Sequence, residues 1–101
     1  MRKQTKYTDI PQKVKTAVWE RDNGRCILCG SYGEPVAHFI SRAQGGLGVE
    51  QNIVTLCHIC HQAYDQSAKH DQYKAYIRQY LSRKYKGWNE NDLIYHKYME
   101  E

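Results

Sequence analysis

Two short cysteine pairs constrain this chain more than anything else in it. Cys26 and Cys29 flank "IL", and Cys57 and Cys60 flank "HI", with residues 30–56 between the pairs. A CxxC lets two sulfurs reach one ion from a tight turn, and four thiolates suit tetrahedral Zn²⁺. A redox CxxC would not account for the second copy. The chain has 101 residues, with one Phe and two Trp against nine Tyr. A domain of that size buries a modest share of its surface and commonly needs a staple. The spacing therefore predicts a structural Zn²⁺ held by Cys26, Cys29, Cys57 and Cys60. A closed four-sulfur site does no chemistry itself, because catalytic zinc keeps an open position. Any reactivity must come from what the staple holds in place.

The start "MRKQTKYTDIPQ" carries no apolar signal stretch, and no run approaches the roughly 18 apolar residues of a membrane span. The expectation is a cytoplasmic protein with no membrane partner, where paired cysteines point to metal rather than disulfides. The net charge of +4 is unevenly placed. Residues 1–25 hold seven basic side chains against three acidic, and residues 69–86 hold six against one. Residues 26–68 hold only Arg42 against Glu34, Glu50 and Asp65. A near-neutral centre between basic arms fits a nucleic-acid surface, although solvated helix faces would look the same.

No repeat or linker divides the chain, so one domain is expected over 1–101, with 1–9 loose. "IPQKVKTAVWERDNG" predicts a helix with Pro11 in its first turn, Val14, Ala17, Val18 and Arg21 on one face, and Gly24 as its stop. Strand character follows around Val36 to Ile40 and again in "IVTL", separated by the glycine-rich "SRAQGGLGVEQN". "CHICHQAYDQ" begins a helix. A longer one is predicted from about Asp71 to Lys84, where Tyr73, Ile77, Tyr80, Leu81 and Lys84 keep helical spacing and Gly87 ends it. "NENDLIYHKY", capped by Asn89, predicts a short terminal helix.

His61 and Asp65 are four apart, so on a helix they share a face. An imidazole and a carboxylate on one face can hold a divalent cation. The zinc would pin the start of that helix against the strands and bring His38 opposite His61.

The run "CILCG…VAHFISRAQGG…NIVTLCHICH" resembles the HNH endonucleases, in the branch with two CxxC zinc knuckles. More narrowly it is similar to small HNH proteins of tailed bacteriophages. The resemblance covers about residues 18–66, with the C-terminal helical extension at about 70–101. It implies a small α+β protein with a ββα-metal fold, a structural four-cysteine zinc site and flanking helices. It implies hydrolysis of phosphodiester bonds in double-stranded DNA with a catalytic Mg²⁺, Mn²⁺, Ni²⁺ or Zn²⁺. His38 falls in the place of the general base, and His61 in that of a metal ligand, with Asp65 as a second ligand on the same helix. The Asn52 place braces the loop or contributes to the metal site. Most members carry Asp or His, a ligand, directly before the base; here that residue is Ala37, which leaves the third ligand open. The phage setting implies terminase subunits as partners in DNA packaging.

Arg42, Lys74, Arg78, Arg83 and Lys84 are the expected DNA contacts. His58 is expected on the surface, and His70 and His96 receive no role. The alternative is a zinc-stapled DNA-binding or adaptor module without catalysis.

Overall fold

The computed structural model describes residues 3–96. Its centre is an antiparallel hairpin of β1 (Glu34–His38) and β2 (Ile53–Leu56), paired Glu34 with Leu56, Ala37 with Val54 and His38 with Ile53. One irregularity between Glu34 and Ala37 shifts the register. Such a bulge bends a strand and re-aims the side chains beyond it, here those leading to His38. β2 is buried along its whole length, as its unbroken apolar and β-branched run requires. The expected first strand, Val36 to Ile40, lies two residues further back. Phe39 and Ile40 leave the ladder because Asn52 takes them: Phe39 N donates to the Asn52 carbonyl at 2.7 Å, and Ile40 N donates to Asn52 Oδ1 at 2.8 Å.

Three helices of eight residues or more surround the hairpin: α2 (Gln12–Arg21), α3 (His58–Gln66) and α4 (His70–Lys84). α2 begins just after Pro11, whose carbonyl accepts from Val14 N and Lys15 N. It stops where expected, with Gly24 at φ +66°, a conformation glycine adopts without steric cost. α4 turns Ile77 and Leu81, both wholly buried, onto the core of Ala37, Phe39, Val54, Leu56 and Tyr64. Tyr73 and Tyr80 pack beside them, while Lys84 at the end of the predicted stripe is exposed.

Two ends differ from expectation. The composition of residues 1–9 predicts a loose segment, yet residues 3–8 form a short helix, α1 (Lys3–Thr8). Thr8 at its end is 3% exposed. The cause is long-range: the Tyr7 carbonyl accepts from Gly48 N at 2.9 Å. The terminal "NENDLIYHKY" forms only one 3₁₀ turn, Glu90–Leu93, capped as predicted by Asn89, which accepts from Asn91 N at 2.9 Å. Beyond it the backbone extends, because Leu93 O accepts from Leu47 N and Tyr95 N donates to Gly45 O. The predicted helix over residues 97–98 lies outside the described residues. Among the described residues, no helix is long and apolar enough to cross a membrane.

A buried ion pair joins α2, β2 and α4. Arg21 donates to both carboxylate oxygens of Asp22, to the carbonyls of Glu50 and Ile53, and to Tyr85 Oη. Asp22 also accepts from Thr55 N at 2.9 Å and from the Tyr80 hydroxyl. Burial opposes both charges. The hydrogen bonds to Arg21 and Tyr80 nonetheless hold the Asp22 pKa below its ordinary value, and those to Asp22 and Tyr85 raise that of Arg21. Because the folded pKa of Asp22 is lowered, its contribution is present at neutral pH and is lost as pH falls below 3.8 through the folded value. Asp22→Ala strands the Arg21 charge and the Thr55 N–H. It should cost about 3–5 kcal/mol in urea unfolding of the zinc-loaded protein; a loss under about 1 kcal/mol, the range of a surface pair, would overturn this account.

Candidate functional site

The cysteines form two knuckles at the base of the hairpin. In the first, Cys26 N donates to Ser31 O at 2.6 Å and Gly30 N to Cys26 O at 2.9 Å. Ile27 N donates to the Thr55 carbonyl of β2, which fixes this knuckle to the sheet. In the second, Cys57 caps α3, its Sγ accepting from Cys60 N at 3.4 Å. All four Sγ atoms lie within 4.8 Å of one another, with Cys29 and Cys57 3.6 Å apart. Sulfurs placed about 2.3 Å from one tetrahedral ion stand about 3.8 Å apart, so this donor set fits zinc. Hydrogen bonds from Ser31 bring the exposed Cys29 thiol down to about 6, whereas burial and neighbouring thiols push Cys60 up. A divalent cation makes all four thiolates compatible, since metal binding displaces their protons.

His38 ends β1, half-buried, with its ring Nε2 2.9 Å from the carbonyl oxygen of Thr8. A carbonyl can only accept, so Nε2 carries the proton and Nδ1 keeps its lone pair. Burial lowers the His38 pKa; the Thr8 carbonyl opposes this in part, nearby Arg42 and His61 lower it further, and Asp9 raises it slightly. The imidazole is therefore neutral at pH 7.

Asn52 is fully buried at the start of β2. Its Oδ1 accepts from Ile40 N, and its Nδ2 donates to the carbonyls of Ile40 at 3.2 Å and Leu47 at 2.8 Å. Its amide closes the glycine-rich loop beneath His38 and is committed on both sides.

His61 and Asp65 project from one side of α3, Nε2 to Oδ2 3.6 Å. Donors about 2.1 Å from a shared ion stand about 3.0–3.4 Å apart, so a small rotation lets both ligate. His61 lines a concavity with Glu34, Val36 and His58, and His38 lines a neighbouring one with Lys15, Val36 and Arg42. Val36 borders both. The concavities lined by His38 and His61 thus meet at one strand residue. Ala37 offers no donor and is wholly enclosed in the core. Among the described residues, the four cysteines are the one cluster of three or more such ligands.

The cations divide. Arg42 is exposed and paired with Asp9. Lys74 and Arg78 lie over the Phe39 ring at 5.5 and 5.7 Å, and Arg78 also pairs with Glu90 at 3.0 Å. Arg83 and Lys84 line a groove with Tyr76 and Tyr80. His58 is exposed, as expected. His70 stacks on Tyr64, and its Nδ1 is 2.6 Å from the Tyr64 carbonyl oxygen. Sequence reasoning missed Thr8 and Asp22. Thr8 acts through its carbonyl, which no side-chain pattern signals, and Asp22 looked like part of a turn.

Residues 26–67 match the HNH endonuclease family, a stretch that includes all four cysteines, His38, Asn52, His61 and Asp65. The hairpin, α3 and the cysteine cluster have the ββα-metal architecture of that family. The chain matches no curated protein and no solved structure.

One zinc per chain is the expected content of the purified protein. Cys60→Ser should release it and lower the thermal midpoint steeply, because metal binding here is coupled to folding. A zinc-free Cys60→Ser protein that melts with the parent would show that the cluster is no staple.

Proposed function

We propose that this chain is a metal-dependent endonuclease that hydrolyses phosphodiester bonds in double-stranded DNA. The observation that carries the reading is a histidine held at Nε2 by a backbone carbonyl and a histidine–carboxylate pair, lining two concavities that share Val36, inside a segment that matches the HNH endonucleases.

In this reading His38 is the general base. Its Nδ1 takes a proton from water, and the hydroxide attacks the phosphorus. The Nε2–H bond to Thr8 O holds the ring in the tautomer that can do so, and becomes stronger as the ring gains charge. His61 and Asp65 would hold a divalent ion, Mg²⁺, Mn²⁺, Ni²⁺ or Zn²⁺. Such an ion offsets charge on the scissile phosphate and stabilises the departing oxygen. Asn52 acts by bracing the loop, as a positioning residue. A zinc on the four cysteines would hold α3, which carries His61, against the hairpin.

Arg42, in the same concavity as His38, would exchange Asp9 for a DNA phosphate. Lys74, Arg78, Arg83 and Lys84 on α4 would contact the backbone further along, contacts that set register rather than sequence. The phage setting and a partnership with terminase subunits are proposed on the sequence resemblance alone. A binding module without catalysis draws support from the enclosed, donor-free Ala37. It predicts salt-dependent DNA binding with no cleavage.

Supercoiled plasmid should be nicked or linearised in the presence of a divalent ion, and EDTA should stop it. His38→Ala should reduce the rate by about 10²–10⁴-fold with zinc content unchanged. Equal cutting by parent and variant would remove His38 from its role, and a folded parent that fails to cut with every divalent ion tried would favour the binding module. The pH dependence has a definite sign. His38 must be neutral to act, and its pKa is lowered, so the acid limb of kcat/KM should have its midpoint below 6.5.

A further inference from the structure

The base histidine is finished by a part of the chain outside the family-matched segment. The carbonyl that accepts from His38 Nε2 belongs to Thr8, 30 residues earlier, whereas the match begins at residue 26. We propose that the Tyr7–Asp9 segment is a positioning element for His38, docked against the glycine-rich loop so that its backbone carbonyl selects the working tautomer. This rests on the nuclease reading above.

Several contacts hold the segment. The Tyr7 carbonyl accepts from Gly48 N at 2.9 Å. Asp9 pairs with Arg42, and both line the concavity of His38. The Tyr7 ring lies 5.4 Å from that of Tyr95. Gly48 is what permits the approach: a Cβ there would stand 1.9 Å from the Asp9 carbonyl oxygen and 2.5 Å from its carbon. Those are backbone atoms, so any side chain at position 48 must push the segment away. The loop itself cannot easily yield. Leu47 N donates to Leu93 O, Tyr95 N donates to Gly45 O, and Asn52 Nδ2 grips the Leu47 carbonyl. Residues 7–9 and 93–95 therefore clamp residues 45–48 from two sides, and the first of these segments carries the carbonyl that meets His38.

The consequence is chemical as well as structural. A free imidazole distributes its proton between two nitrogens, and the tautomer is set by the hydrogen bond the ring makes. With the Thr8 carbonyl in place, Nδ1 is the acceptor. Without it the ring can turn, and part of the population carries its proton on the nitrogen meant to receive one.

The test is long-range ¹H–¹⁵N NMR of the histidine rings in the full-length, zinc-loaded protein, combined with plasmid cleavage kinetics. The parent should show His38 as a single Nε2–H tautomer. Gly48→Ala should give a mixture and a kcat lower by about 10–100-fold, the usual cost of losing an outer partner, with KM and zinc content little changed. Tyr7→Ala, which loosens the same segment from the other side, gives the same reading should Gly48→Ala fail to fold. A parent His38 with its proton on Nδ1 overturns the proposal, as do variants that keep one tautomer or lose it at full kcat. If the tautomer behaves as stated but the parent fails to cut with every divalent ion tried, the positioning stands and the nuclease reading fails.

Discussion

Four sulfurs, two from each side of the hairpin, converge to within 4.8 Å. The placement of α3 relative to the hairpin would depend on a metal held by that convergence. Cys57 is both a candidate zinc ligand and the cap of α3, so a single residue would tie metal binding to helix initiation. His61 follows Cys60 directly, and Ile27 of the other knuckle is bonded to Thr55 of β2. The staple therefore connects the helix carrying His61 and Asp65 to the sheet carrying His38. A chain with one Phe and two Trp has little apolar area with which to make that connection otherwise.

Away from the cysteines, polar groups take on tasks that a larger protein would leave to its core. The Arg21–Asp22 pair gathers the end of α2, the Glu50 and Ile53 carbonyls, Thr55 N and the tyrosines of α4 into one network. Asn52 does the same for the loop, using one amide to satisfy three backbone groups. Buried polar groups hold a structure well only when each is satisfied, and these are. The site thus sits on a hairpin fixed at three places: the sulfurs at its base, the ion pair beside β2, and the Asn52 amide in its loop.

The same commitment of polar groups explains why His38 looks outward for its partner. The hairpin uses its own polar groups to hold its shape. His38 is left with a nitrogen facing the N-terminal segment, where the Thr8 carbonyl meets it. Ala37 fits this picture from the other side. It packs into the core with Phe39 and Val54, so the strand uses that position for burial, not for ligation.

Much of this was legible in the sequence. The spacing of Cys26, Cys29, Cys57 and Cys60 pointed to the cysteine cluster, because CxxC geometry is local. Helical periodicity placed α4 within one residue at its start, and the i, i+4 spacing of His61 and Asp65 put them on one face of α3. The β-branched run 53–56 marked β2. What the tertiary structure decided was each feature that depends on a distant backbone atom. The Asn52 amide moved the end of β1 back from Ile40 to His38. Gly48 and His38 ordered an N-terminal segment whose composition reads as loose. The Gly45 and Leu47 backbone drew the chain out of helix after Leu93. Asp22 was buried by Arg21 and Tyr80, the latter 58 residues away. Side-chain periodicity and ligand spacing report the short-range chemistry of a chain. Backbone hydrogen bonds between remote segments leave no mark in it, because every residue but proline carries the same donor and acceptor.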